Sequence, residues 1–249
     1  MARLEIMFLT VRAMTKDLPP VARKIHSRLI VSCQAREGEP FRDPAALARF
    51  ACAAVMGGAA AIRAQGPDNI RAIREAVDVP ILGLWKQVQE DGRLLITPTF
   101  ESAQQVVAAG AEMIALDVTR RGRHYGALDR LRRIRQDLNV PVFADIATID
   151  EALIAADSGA DFVLSTMRGY TDETEHIHSF DLPFIEELVR SCPVPVIAEG
   201  RIETPEQARA ALAAGAYSVV VGSAITRPHT ITRRFVDALV PSRPTGDLP

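Results

Sequence analysis

Short apolar runs recur along this chain and are separated by longer amphipathic stretches. Three of the runs open with Val-Pro and end on a charged residue, at Lys86, Asp145 and Glu199. A continuous apolar run of this length, bounded by turn residues, is typical of a parallel strand that is buried on both faces. By this criterion the chain contains strands at residues 29–33, 59–63, 80–85, 112–117, 141–145, 161–165, 195–199 and 217–222.

The stretches between the strands are rich in alanine and predict helices. One of them opens with Thr204-Pro205, where threonine suits the N-cap and proline the first helical position. Strands that alternate with helices indicate a parallel sheet, and eight such units indicate an α/β fold, a single (β/α)8 TIM barrel. An open doubly wound sheet is the alternative, although no G-x-G-x-x-G motif follows a strand to support it.

The domain organisation follows from these boundaries. We expect residues 1–20 to be a loosely ordered N-terminal extension, residues 21–240 to form the barrel domain, and residues 241–249 to be a C-terminal tail. The helical stretch at residues 21–27 precedes the first strand and is placed to close the bottom of the barrel.

Composition narrows the class of protein. A length of 249 residues suits one such barrel, and a net charge of −2 gives no electrostatic reason to expect a nucleic acid or membrane partner. The N-terminal residues lack the basic segment and cleavage site of a signal peptide. The three cysteines fit no metal spacing, so free thiols in a reducing cytoplasm are expected.

The carboxyl ends of the strands surround the active site of a (β/α)8 barrel. Unpaired buried charges are costly, so a barrel built for packing alone would not carry many of them there. The alternative is structural ion pairing, of Lys86 with Glu199 or Asp145 and of Arg63 with Asp117. The predicted strand ends carry Gln34, Arg63, Lys86, Asp117, Asp145, Thr166, Glu199 and Gly222-Ser223.

The segments after the last two predicted strands indicate a phosphate-binding site. The segment from Gly222 to Arg227 follows the last strand, and its small residues let backbone N–H groups approach a ligand closely. Gly200 and Arg201 follow the strand before it. Loops after the seventh and eighth strands are the usual phosphate site of this fold, whereas an ordinary tight turn is the alternative.

Lys86 is the candidate general base or Schiff-base nucleophile. The pKa of a free lysine is about 10.4, and burial beside Trp85 and near Arg63 would lower it. Glu199 would be the matching acid or base, with its pKa raised by the same dry surroundings. Such a pair suits proton transfer at a carbon next to a carbonyl, and a structural ion pair is the alternative.

No metal site is predicted. His176 and His178 have no third ligand at a sensible spacing. Cys33 stands next to Gln34 and could act as a nucleophile, but a cysteine at a strand end is usually just buried.

Several segments resemble the N-acylglucosamine-6-phosphate 2-epimerase family, in matching order over about residues 28–238. Together these motifs are specific, whereas a barrel fold alone would not be. The resembling segments are the first strand through Gln34, the D-x-T-x-R-x-R motif at Asp117, Thr119, Arg121 and Arg123, the loop Gly169-Tyr170-Thr171, the strand end Ala198 to Arg201, and the strand end Val221 to Arg227.

The resemblance implies a cofactor-independent epimerase that converts N-acetylmannosamine 6-phosphate to N-acetylglucosamine 6-phosphate by inverting C2, in sialic acid and amino sugar catabolism. It implies a cytoplasmic homodimer that binds a small phosphosugar. It carries catalytic roles over to Lys86 and Glu199. It also implies substrate contacts at Gln34, Arg63, Asp145 and Arg227, phosphate binding at Gly200, Gly222 and Ser223, and a substrate loop with Asp117, Thr119, Arg121 and Tyr170.

The chain departs from the family pattern beside the expected pocket. Gln87, His124 and Arg168 stand where the family usually has arginine, proline and serine. A different N-acyl group or a related phosphosugar is therefore an alternative substrate. Two other functions remain open: a Schiff-base aldolase or isomerase that uses Lys86, and a non-catalytic phosphosugar-binding barrel.

Overall fold

A closed barrel of eight parallel strands forms the centre of the protein, as the sequence predicts. The computed structural model describes residues 18–239, so the predicted tail at 241–249 and most of the predicted extension at 1–20 lie outside the described residues. The strands are β1 Leu29–Cys33, β2 Ala61–Gln65, β3 Ile81–Leu84, β4 Lys86–Val88, β5 Leu94–Ile96, β6 Met113–Asp117, β7 Val142–Asp145, β8 Phe162–Leu164, β9 Val196–Glu199 and β10 Ser218–Val221. Around the barrel their order is β1-β10-β9-β8-β7-β6-β3-β2.

Helices follow the barrel strands and cover them from outside. Several begin with a threonine whose side chain accepts a hydrogen bond from the third helical N–H, which satisfies an otherwise free donor. The predicted start at Thr204-Pro205 is one of these. None of the helices in residues 18–239 has the length and apolarity that a bilayer crossing requires. The helices are α1 Pro20–Arg23, α2 Pro44–Met56, α3 Pro67–Ala76, α4 Phe100–Ala108, α5 Arg120–His124, α6 Ala127–Leu138, α7 Ile149–Asp157, α8 Leu182–Ser191, α9 Pro205–Ala213, α10 Ser223–Thr226 and α11 Pro228–Leu239.

The lower part of the barrel interior is packed with apolar side chains. Phe143 and Phe162 stack there with ring centroids 4.3 Å apart. Ala22 and Ile25 belong to the same cluster, and the Tyr217 hydroxyl donates to the Ala22 carbonyl at 3.3 Å. The segment before β1 therefore closes the bottom of the barrel, as predicted.

The strand period of two decides which residues enter the upper interior. Ala61, Phe143 and Ile197 point into the barrel, so the residues two positions later in each strand point the same way. Those residues are Arg63, Asp145 and Glu199. A charged layer consequently rests directly on an apolar one.

Strand β2 begins two residues later than the sequence analysis predicts, so Arg63 lies in the middle of the strand and not at its end. Helix α2 ends at Met56, and Gly58 then adopts a φ of +95° that favours glycine. The Ala59 and Ala60 amides complete this turn by bonding to the carbonyls of Ala54 and Leu29. These two alanines belong to the turn, which shifts the strand.

The antiparallel hairpin of β4 and β5 was not predicted. It leaves the barrel after β3, with Lys86 paired opposite Ile96, and turns at Asp91-Gly92. Asp-Gly is a strong hairpin signal, but strands of three residues carry too short a pattern to recognise. The Asp91 carboxylate at the hairpin tip also interacts with Tyr125, the residue directly after α5.

Candidate active site

Arg63 is the centre of a charged cluster in the upper barrel. Its side chain is 1% exposed and donates to both Asp145 carboxylate oxygens, at 2.9 and 2.7 Å. Its other terminal nitrogen binds Glu199 Oε2 and the Thr166 hydroxyl. Burial alone would lower the pKa of Arg63, but Asp145 and Glu199 more than offset this and raise it. The guanidinium therefore stays charged and holds two carboxylates from different strands.

Glu199 is fixed through both its side chain and its backbone. Thr166 donates to Glu199 Oε2 at 3.0 Å, and the Ser165 hydroxyl bridges the Glu199 N–H and C=O at 3.0 and 2.8 Å. Burial raises the pKa of Glu199, and the Asp145 charge adds to this, whereas Arg63 opposes it. A carboxyl group with a raised pKa is suited to exchange protons near neutral pH.

Lys86 faces the same cluster from the base of the hairpin. Burial lowers the pKa of Lys86 to about 8, the Arg63 charge contributes to this, and the Glu199 and Asp145 charges oppose it. In the part of the chain that the structure describes, no ion pair holds the lysine amine. A substantial fraction of the amine is consequently neutral near pH 7–8 and available as a base.

The two structural pairings considered from sequence are wrong. Arg63 binds Asp145 and Glu199 instead of Asp117, and Lys86 is paired with neither carboxylate among residues 18–239. Asp117 and Asp145 lie opposite each other on neighbouring strands. Only Asp145 reaches Arg63, because Asp117 bonds to its own loop.

The motif after β6 folds back on Asp117. The buried Asp117 carboxylate accepts hydrogen bonds from the N–H and hydroxyl of Thr119, and Arg121 lies 3.8 Å from its other oxygen. Burial raises the pKa of Asp117 to about 6. A Cβ on Gly122 would collide with the Asp117 carbonyl oxygen, so only glycine fits there. These residues shape a loop beside the charged cluster.

The predicted phosphate loops are adjacent. Glu199 of β9 lies opposite Val220 of β10, so Gly200 and Gly222 leave neighbouring strand ends. Gly200 has a φ of +108°, which favours glycine. Arg227 donates to the Ser223 hydroxyl at 3.0 Å and pairs with Glu39 at 3.3 Å. Glu39, in the loop after β1, was not singled out from the sequence.

Gln34 and Tyr170 lie at two sides of the opening. Gln34 donates to the Ser32 hydroxyl at 2.8 Å, while its buried Oε1 has no hydrogen-bond partner. A buried acceptor of this kind usually has a partner, so it is available to a ligand. Tyr170 is 48% exposed, and its ring lies 4.6 Å from the Arg201 guanidinium.

A polar cavity of about 300 Å³ opens between the hairpin tip, the loop after β6 and the loop after β8; Arg93, Thr119, Arg121, His124 and Thr171 are among its lining residues. Of the departures from the family pattern, His124 therefore lines a pocket. Arg168 instead pairs with Asp181 at 2.9 Å and lies over the Phe184 ring, so its charge is satisfied within the protein.

Thr166 and Ser165 are the site residues whose roles the sequence analysis missed. Thr166 was recognised as a strand end, but its contact with both Arg63 and Glu199 depends on neighbouring strands. Among residues 18–239, no group of three His, Cys, Asp or Glu side chains could hold a metal ion. Burial raises the pKa of Cys33 to about 12, which argues against the nucleophile considered above.

Comparison with known proteins points to one family. A family model described as "Putative N-acetylmannosamine-6-phosphate epimerase" matches residues 47–240. A relative from Caldanaerobacter subterraneus subsp. tengcongensis, named "Putative N-acetylmannosamine-6-phosphate 2-epimerase", is 46% identical over 87% of this chain and 92% of its own length. A Cutibacterium acnes protein of the same name is 46% identical over 85% of this chain and 93% of its own length.

A solved structure gives the same result. The N-acetylmannosamine-6-phosphate 2-epimerase from Clostridium perfringens superposes with a TM-score of 0.84 at 41% sequence identity. The superposition covers 89% of this chain and 97% of that one.

Proposed function

We propose the reaction of this chain from one premise: it belongs to the N-acetylmannosamine-6-phosphate 2-epimerase family. The enzyme is an isomerase that inverts C2 of N-acetylmannosamine 6-phosphate and gives N-acetylglucosamine 6-phosphate. One observation supports the assignment of the site. The Lys86 amine has a lowered pKa and lies near Glu199 and Arg63, and it forms no ion pair among the described residues.

The chemistry requires a base next to a site that stabilises negative charge. In the open-chain sugar C2 adjoins the C1 aldehyde, so loss of the C2 proton gives an enolate. Lys86 removes this proton, and fixed hydrogen-bond donors stabilise the enolate oxygen. Returning a proton to the opposite face of C2 completes the inversion.

Two sources of the returning proton fit this site. Lys86 serves both faces if the enolate shifts between the two transfers, or Glu199 serves the second face. In an alternative role, Glu199 assists ring opening at O1. Its raised pKa supports either role, because a carboxylic acid must hold a proton to donate one.

The remaining candidate residues bind the substrate in this proposal. Gln34 offers its unpartnered Oε1 to a sugar hydroxyl. Arg63 and Asp145 position Glu199 and contact the sugar, and Arg227 neutralises the 6-phosphate. Gly200, Gly222 and Ser223 line the phosphate site, while Asp117, Thr119, Arg121 and Tyr170 form the surrounding substrate loops.

Proton NMR in deuterated water tests the reaction and the mechanism together. With N-acetylmannosamine 6-phosphate as substrate, we expect N-acetylglucosamine 6-phosphate to appear and the C2 proton signal to disappear. Inversion through an enolate must pass the proton through groups that exchange with solvent. A folded sample that neither converts the substrate nor exchanges its proton would refute the assigned substrate, and other 6-phosphosugars would be tried next.

The cellular setting is also a proposal. Free thiols at Cys33, Cys52 and Cys192 support a reducing, cytoplasmic location. The family membership supports a place in sialic acid and amino sugar catabolism.

We expect the enzyme to be a homodimer. Phe235, Val236 and Leu239 of α11 are 70%, 48% and 82% exposed, which is unfavourable for apolar side chains in water. Light scattering coupled to gel filtration should therefore report twice the 27.1 kDa chain mass. A mass of one chain at micromolar concentration would contradict the dimer.

A further inference from the structure

Thr97, directly after β5, has an unfavourable backbone conformation in a buried place. Its φ is +51°, and its side chain is fully buried. Positive φ is a genuine outlier for a β-branched residue, and such conformations persist only where surrounding contacts enforce them. They cluster at functional sites, so the contacts of Thr97 indicate what the conformation achieves.

The hydrogen bonds of Thr97 connect Trp85, the residue before Lys86, to strand β6. The Thr97 N–H donates to the Trp85 carbonyl at 2.7 Å, and the Trp85 N–H donates to the Thr97 hydroxyl at 3.1 Å. The same hydroxyl donates to the Ala115 carbonyl at 2.7 Å. Both backbone groups of Trp85 are thus tied through Thr97 to β6.

Lys86 needs this connection because it has left the barrel wall. Strand β3 ends at Leu84, and the pairing of Lys86 is with Ile96 of the hairpin. The carboxylates that face Lys86 belong to barrel strands, whereas the Lys86 backbone belongs to the β4–β5 hairpin outside the barrel. A lysine side chain is long and flexible, so the position of its amine depends on where its backbone is held.

We propose that Thr97 is a positioning residue for Lys86: its hydroxyl and its strained backbone lock Trp85 to β6 and thereby aim the lysine amine at C2 of the substrate. The inference rests on the proposed function for the reaction that it serves. The hydrogen bonds that join Trp85, Thr97 and Ala115 do not depend on which reaction the enzyme catalyses.

Thr97→Val tests the lock because it removes the hydroxyl and keeps the shape of the side chain. We expect kcat to fall about 10- to 100-fold with KM changed less than about threefold, as a misplaced base slows proton transfer without weakening binding. Thr97→Ser keeps the hydroxyl and should retain kcat within about threefold of the wild type. If Thr97→Val does not fold, Thr97→Ala replaces it in the same comparison.

Ser218→Ala is the matched control. Ser218 is also fully buried and donates to a backbone carbonyl, that of Arg28 at 2.7 Å, but at the bottom of the barrel. It should lower Tm by a similar amount and leave kcat unchanged. A Thr97→Val enzyme that behaves like Ser218→Ala, or a Thr97→Ser enzyme as slow as Thr97→Val, would overturn the proposal.

A second readout separates positioning from stability and does not need the substrate. The lysines of this chain are Lys16, Lys24 and Lys86, so reductive methylation with 13C-formaldehyde gives few NMR signals. The Lys86 signal should titrate near pH 8 in the wild type and about one pH unit or more higher in Thr97→Val, since a displaced amine gains solvent. An unchanged Lys86 titration would overturn the proposal.

The two hypotheses fail in different ways. A wild-type enzyme that neither converts the phosphosugar nor exchanges its C2 proton would refute the proposed function. In that case, comparing the Lys86 titration in the wild type and in Thr97→Val still tests whether Thr97 positions Lys86.

Discussion

Lys86→Ala is expected to lower kcat by about 10²- to 10⁴-fold and to abolish exchange of the substrate C2 proton with solvent deuterium. In the proposed mechanism, the substitution removes the amine that takes the proton while leaving the Arg63 cluster in place. Proton NMR of the reaction in deuterated water measures conversion and exchange in one experiment. Lys24→Ala is the control, since Lys24 is an exposed lysine below the barrel, and it should match the wild type.

The pH dependence of kcat/KM tests whether Lys86 acts in its neutral form, as a base must. Burial and the Arg63 charge lower the pKa of Lys86 to about 8, and the base form of lysine is the neutral one. For the wild type, kcat/KM should therefore rise with pH and level off above about 8. Exchange retained in Lys86→Ala, or a wild-type kcat/KM that falls through pH 8, would remove Lys86 from the role of base.

Loss of activity in Lys86→Ala does not by itself separate a base from a Schiff-base nucleophile. Borohydride added during turnover would trap a substrate imine on a lysine, and mass spectrometry would locate the adduct. An epimerase that works through an enolate leaves Lys86 unmodified. A trapped adduct on Lys86 would favour the aldolase or isomerase alternative.

Arg63→Met is expected to destabilise the fold by about 3–5 kcal/mol and to remove activity. The arginine side chain is 1% exposed and neutralises Asp145, which is fully buried, together with Glu199. Methionine has a similar length and no charge, so two carboxylates would remain buried without a cation. Urea denaturation gives the free energy of unfolding for both proteins.

The destabilisation should depend on pH with a definite sign. Burial and the Asp145 charge raise the folded-state pKa of Glu199, and loss of Arg63 removes the cation that opposes them. A raised carboxyl pKa contributes stability at low pH that is lost as pH increases. The difference in unfolding free energy between wild type and Arg63→Met should thus be smaller at pH 4.5 than at pH 7.5.

Arg132→Met provides the comparison for a surface ion pair. Arg132 and Asp129 pair at 2.8 Å, but their side chains are 56% and 91% exposed. Its loss should cost less than about 1 kcal/mol at either pH. If Arg63→Met loses as little as Arg132→Met, or loses the same amount at both pH values, Arg63 does not compensate the buried carboxylates.

The barrel itself could be predicted from the sequence because each strand is a compact apolar run that ends in a recognisable turn. The strand period then places Asp145 and Glu199 in the interior once the register is correct. The error at β2 shows that this placement is sensitive to where a strand is taken to begin. Two turn alanines were counted as strand, so Arg63 was placed at a strand end.

Other parts of the site depend on contacts between distant segments. The two carboxylate partners of Arg63 lie 82 and 136 residues away, and nothing local distinguishes Asp145 from Asp117 as its partner. The positive φ of Thr97 is stabilised by Trp85 and Ala115, which belong to other segments. Such choices follow from tertiary geometry and have no counterpart in the pattern of a single segment.

The hairpin also has a consequence for how this scaffold can be altered. Residues 89–93 connect β4 to β5, and a Cβ on Gly92 would meet no atom within 4 Å. Because the barrel strands pair without it, this loop can be exchanged as a cassette of different length or composition without changing the register of the wall. A library of variants at this loop could therefore change which substrates the enzyme accepts. The barrel strands would stay unchanged and would maintain the stability of the fold.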